Sequence, residues 1–206
     1  KRPFYFAVTI GNDYHLGLDP YLELTGLAYR ITPERSKDGR PRVNTEVMYD
    51  NMLHKFKYGN MNVPGIYIDE NTMRMCRTHR MMFFELIEAL YNEGKRDKCL
   101  EVLDFAEEVL PGYNIPYDYT SASMAQYYYQ LGEIEKGNAI MTKVADTCAE
   151  YLMWGASLDK DNRAAAQSTL GHQSAIFGYV LQTLERYQQK DLFNQYYDIY
   201  AQYASR

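Results

Sequence analysis

No apolar run in this sequence approaches the ~20 residues that a membrane-spanning helix requires. Basic excess is missing too. The net charge over 206 residues is -5, with an isoelectric point near 5.4, which argues against a nucleic-acid binder, whose cations gather on one face. Cysteine is scarce. The three present, Cys76, Cys99 and Cys148, are odd in number, and each falls inside a helical pattern. They read as buried small apolar residues rather than as a disulfide framework. No P-loop, G-x-S-x-G elbow or dinucleotide fingerprint occurs. Cys76 and His79 share a C-x-x-H spacing, but no second ligand pair accompanies them. Asp159-Lys160-Asp161-Asn162 begins like a calcium loop, yet Arg163 takes the next ligand position, so a helix-starting turn is expected instead. His15, His54 and His172 show no sequence-local acid or nucleophile partner. No metal, cofactor or catalytic residue is therefore assigned. No signal peptide is visible. The chain opens Lys-Arg-Pro rather than with Met, which reads as a fragment or a processed product.

What is present is helical. From Met81 to Pro111, Phe83, Leu86, Ile87 and Leu90 recur at the three- and four-residue spacing of one helical face. Gly94 stands where that helix must stop, since glycine enters the left-handed conformation without a Cβ penalty. Asp97 is expected to cap a second helix, which carries Leu100, Leu103, Ala106 and Leu110 inward and ends at Pro111-Gly112. One hairpin of this kind cannot bury its own apolar face, so further hairpins are expected.

Before it, Phe4–Ile10 alternates aromatic and β-branched residues and ends at Gly11-Asn12-Asp13, predicting a strand. Asp19-Pro20 predicts a short helix reaching Gly26, and 27–32 a second strand. The stretch 34–42 is a polar loop with four basic residues, read as a solvated excursion rather than an anion site. A helix is expected over about 45–56, then an irregular, turn-rich stretch over 58–69. After the first hairpin, Asp118 or Thr120 is expected to cap a helix over 121–131 that ends at Gly132. Its partner carries Ile134, Ala139, Ile140, Val144 and Cys148 towards Trp154-Gly155. A long helix over 161–188 follows, then a last one capped by Asp191. These readings divide the chain into an α+β lead-in, 1–69, and a helical body, 70–206.

The helical body resembles the tetratricopeptide pattern. Gly94 and Gly132 lie 38 residues apart, close to its ~34-residue period plus a longer connector. Phe83, Leu86, Gly94, Leu103, Ala106 and Pro111 fit the first unit, with Ala89-Leu90 in place of the Ala-Tyr pair and Cys99 in place of the small residue of its second helix. Tyr127-Tyr128, Gly132 and Met141 keep the second, with Gly137 at the small site. The third has lost its glycine, with Lys190 in its place. The fold class expected is mainly α: about three tetratricopeptide-like hairpins in a right-handed stack, with a small N-terminal α+β lead-in.

A second resemblance spans nearly the whole chain. RPFYFAVTIGNDYHLGLDPYLELTGLAYRITP, FKYGNMNVPGIYIDENTMRM and ALYNEGKRDKCLEVLD resemble the C-terminal soluble region of multi-spanning Bacteroidetes membrane proteins of poorly defined function, similar to GT-C-type protein O-mannosyltransferases. The resemblance implies an exported tail on the periplasmic side of the envelope, tethered to a membrane part of the same polypeptide that carries any catalysis. The acidic membrane-loop motifs of such enzymes do not occur in this chain.

The 21 tyrosines are the compositional oddity. Their rings suit packing between helices, and equally a groove for an extended peptide or sugar rings. Tyr127, Tyr128, Asn138 and Arg163 are the candidate contacts on a concave face. A non-catalytic interaction domain with a protein or peptide partner is expected. A glycan-binding or catalytic accessory domain is the alternative, and a purely structural domain docked on the membrane part is a third. Neither nucleic-acid binding nor membrane insertion by this segment is expected.

Overall fold

The computed structural model describes residues 2–203. It is mainly helical, with a small N-terminal sheet. Contacts divide the chain into two units, Lys1–Pro116 and Tyr117–Arg206. The boundary suggested by the sequence, between 69 and 70, falls inside the first of them.

In the first unit, β1 (Tyr5–Ala7), β2 (Leu22–Leu24), β3 (Ala28–Ile31) and β4 (Arg42–Val43) form a sheet in the order β1-β3-β2-β4. β3 is antiparallel to both neighbours, with Ala7 opposite Ala28 and Leu22 opposite Ile31, and β4 runs parallel to β2. The helix expected from Asp19 to Gly26 is not there. Asp19–Tyr21 forms a single 3-10 turn and the chain then extends into β2. Leu22 and Leu24 are buried while Glu23 between them stays half-exposed, a two-residue period that too short a stretch conceals in sequence. Gly26 turns the chain into β3 at φ +136°, and a Cβ there would stand 2.8 Å from the Phe56 ring.

α1 (Thr45–Asp50), capped by Asn44, runs on into one π turn, Asn51–Lys55. α2 (Glu70–Asn92), capped by Asp69, and α3 (Arg96–Val109) pack together as the expected hairpin. Asp97 is not its cap. α3 begins after Lys95, and Asp97 lies in the first turn, where its charge favours the amide end. Met82, Phe83, Leu86, Ile87 and Leu90 of α2 and Val102, Leu103 and Ala106 of α3 are buried in the core. The irregular stretch before α2 is pinned rather than loose. Tyr58 stacks on Phe83 with centroids 5.8 Å apart and donates to the Met52 carbonyl. Asn114 Nδ2 donates to the carbonyls of Met61 and Val63.

The second unit contains α4 (Tyr119–Leu131), α5 (Ile134–Ser157), α6 (Lys160–Arg186) and α7 (Lys190–Tyr203). α4 packs on α5, α5 on α6 and α7, and α6 on α7. Asp118 caps α4 in a reciprocal box with Ser121. Asp191 lies within the first turn of α7, whose helix already begins at Lys190.

One turn recurs through the helices. After α2, Lys95 N donates to Leu90 O and Gly94 N to Tyr91 O, with Gly94 at φ +75°. After α4, Glu133 N donates to Tyr128 O and Gly132 N to Tyr129 O, with Gly132 at φ +87°. After α6, Gln189 N donates to Leu184 O and Gln188 N to Glu185 O, with Gln188 at φ +58°. Each pair satisfies two terminal carbonyls around a left-handed residue. The third turn is thus centred on Gln188, two residues before the Lys190 position suggested by the sequence.

Candidate functional site

The cleft best furnished for a ligand lies on α5, α6 and α7 of the second unit. It has a volume of about 480 Å3 and is lined by Leu152, Lys160, Arg163, Ala164, Gln167, Leu170, Gly171, Ser174 and Tyr203. Its geometry begins at Asp159. That carboxylate caps α6, accepting from the backbone amides of Asp161 and Asn162 at 3.1 and 3.0 Å and from Asn162 Nδ2 at 2.7 Å. The stretch that imitates the start of a calcium loop is therefore a helix start, and it sets Lys160 and Arg163 in the opening turns. From there the lining residues follow one stripe of α6 at three- and four-residue spacing.

Two glycines shape the walls. Gly155 of α5 leaves room for Leu170, whose methyl groups lie where a Cβ would otherwise stand, 2.5 Å from it. Gly171 faces open space. Leu152 is buried and Leu170 half-buried, giving an apolar floor, while Arg163, Ser174 and Tyr203 are half-buried and Lys160 and Gln167 exposed. Neither Lys160 nor Arg163 forms an ion pair among the described residues. Beside the cleft on α5, the exposed Tyr151 and Trp154 meet edge to face at 6.3 Å. Unpaired cations above an apolar floor can hold an anionic group and bury what is attached to it.

Of the four residues singled out in the sequence, Arg163 lines this cleft and the other three do not. Tyr127 and Tyr128 are buried in α4. The Tyr128 ring carries the Lys136 ammonium 5.7 Å from its centroid. Asn138 is half-buried and works as a tie: its Oδ1 accepts from Tyr129 Oη at 2.8 Å and its Nδ2 donates to Gln189 Oε1 at 3.0 Å. Tyr129 stacks on Tyr187 with centroids 5.0 Å apart, and burial raises its hydroxyl pKa. These tyrosines serve packing between helices. Lys160 and Gln167 share a side of α6 with Arg163 but carry no signal of a site by themselves, and Tyr203 joins them only through the packing of α7.

Several other chemistry-bearing groups are held in internal contacts. His15, which the sequence leaves without a partner, has one four residues on. Its Nδ1 lies 2.8 Å from Asp19 Oδ1, and its ring sits between Phe6 and Tyr29, each 5.5 Å away. In the basic loop, Arg42 pairs with Glu34 at 2.9 Å and Glu23 at 3.8 Å, so local carboxylates match its charge. Cys76, Cys99 and Cys148 are free and buried. Burial lifts the Cys99 thiol to about 11 and the Cys148 thiol to about 12, which suppresses thiolate chemistry. Among the described residues no cluster of three or more His, Cys, Asp or Glu is placed to hold a metal ion, and no helix is long and apolar enough to cross a membrane. No family model, curated protein or solved structure matches this chain.

Proposed function

We propose that this chain is a non-catalytic, tetratricopeptide-like interaction module of a larger envelope membrane protein similar to glycosyltransferases. In this reading it stands on the periplasmic side and holds a peptide segment of a protein partner near the membrane part. The observation that carries the binding role is the α5–α7 cleft, with its two unpaired cations and leucine floor. Its volume, about 480 Å3, falls within the ~300–1,000 Å3 of ligand pockets. The hairpin reading is supported by the turn repeated at Gly94, Gly132 and Gln188. The membrane and envelope assignments rest on the resemblance of the YFAVT and GLAYR segments.

Selection from a random peptide display library tests the binding role. A Gly171→Arg variant fills the cleft without disturbing the fold, since a Cβ at Gly171 meets nothing within 4 Å. Enrichment on the wild type that disappears on this variant is the expected result. No enrichment, or equal enrichment on both, contradicts it. The exposed Tyr151–Trp154 pair favours a second reading, contact with glycan rings, in which Trp154→Ala abolishes oligosaccharide binding.

A further inference from the structure

The lining of the cleft is directional. Lys160 and Arg163 stand at one end of a stripe that continues through Gln167 and Gly171 to Ser174. Fourteen residue steps along α6 correspond to about 21 Å. An extended peptide advances about 3.3 Å per residue, so the stripe matches about six residues of one. Both cations lack an ion-pair partner among the described residues. Of the two flanking acids, Asp159 already spends its oxygens on the cap of α6, and Asp161 forms no ion pair with either cation among the described residues.

A guanidinium fork matches a carboxylate in two parallel hydrogen bonds, and an apolar floor strengthens such a pair by lowering the local dielectric. That floor is formed by Leu152 and Leu170, side chains that pack against aliphatic groups, and Tyr203 is the one aromatic ring in the lining. A sugar polymer would instead call for several flat rings to stack on. Resting on the peptide-module reading above, we propose that the cleft selects an extended acidic peptide. A carboxylate is held at the Lys160–Arg163 end, and the peptide's aliphatic side chains lie over Leu152 and Leu170. The carboxylate belongs to an acidic side chain of the peptide.

Fluorescence anisotropy with three rhodamine-labelled hexapeptides tests this. Leucine alternates with glutamate in the first, with glutamine in the second and with lysine in the third, each with a free and an amidated C-terminus. The glutamate peptide is expected to bind at least tenfold more tightly than the glutamine peptide. That advantage is expected to vanish at about 0.5 M salt and in the Lys160→Glu/Arg163→Glu double variant. Acids in the first turn of a helix favour it, so this variant keeps α6, which circular dichroism verifies. Binding that survives amidation supports the side-chain carboxylate, and binding lost on amidation assigns the contact to the C-terminus and overturns the proposal. A glutamine or lysine peptide bound as tightly as the glutamate one overturns carboxylate selection and leaves the peptide-module reading standing. Silence from all three peptides overturns both, as does capture of an oligogalacturonate while the peptides stay silent.

Discussion

Arg80 is buried to 2% exposure, and its guanidinium donates to the carbonyls of Leu110, Ile115 and Pro116. These carbonyls lie where α3 has ended and the backbone has no helical partner to accept from. Arg80→Met keeps the stem but leaves the three acceptors without that donor. It is expected to destabilise the protein by about 2–4 kcal/mol in urea titration. At the surface, Glu46 bridges Lys95 at 2.6 Å and Lys98 at 2.8 Å, and hydrogen bonds from these two lysines hold its carboxyl at about 2. The folded-state value lies below the ordinary one of 4.5, so the bridge stabilises above about pH 4.5 and is lost as pH falls through about 2. Glu46→Gln is expected to lower the melting temperature at pH 6, with the difference from wild type narrowing between pH 4.5 and 2 in thermal scans.

At the level of elements, the helical turns are the best-written part of the sequence. Gly94 and Gly132 announce their turns because a left-handed backbone penalises any Cβ. Gln188 adopts the same backbone without that signal, and only its bond to Glu185 and that of Gln189 to Leu184 reveal it. Gln188→Gly is expected to stabilise the protein by about 0.5–1 kcal/mol, read as an increased urea midpoint with unchanged slope. Gly137 marks a close helix approach of a different kind. A Cβ there would lie 2.7 Å from the ring of Tyr129, which is itself fixed by its bond to Asn138. At Gly155 the obstruction is the flexible end of Leu170. Gly137→Ala is therefore expected to cost about 1–3 kcal/mol, and Gly155→Ala clearly less, in parallel urea titrations. The strands were harder to read than the helices. β1 and β3 follow visible alternation, whereas β2 has three residues, too few to separate a two-residue period from a helical one. The end of β2 is set instead by its pairing with β3 and β4.

At the level of the molecule, the two units contain different chemistry. The first spends its polar residues on joining sheet, loop and hairpin, as Thr45 does with Glu93 at 2.8 Å and Asn114 with the 58–69 stretch. The second leaves cations unpaired beside an apolar floor. Arg163, singled out in the sequence as a concave-face contact, lies in the lining of the α5–α7 cleft. Lys160 and Gln167 on the same stripe carry no signal of a site by themselves, and Tyr203 reaches the cleft only when α7 packs on α5 and α6. The proposed tether to a membrane protein makes a prediction about the native polypeptide. An antibody raised against this chain, used to blot fractionated native cells, is expected to detect a membrane-bound species far larger than 24.1 kDa. A soluble species near 24.1 kDa would contradict the tethered module, and the hairpins would then belong to a free-standing protein.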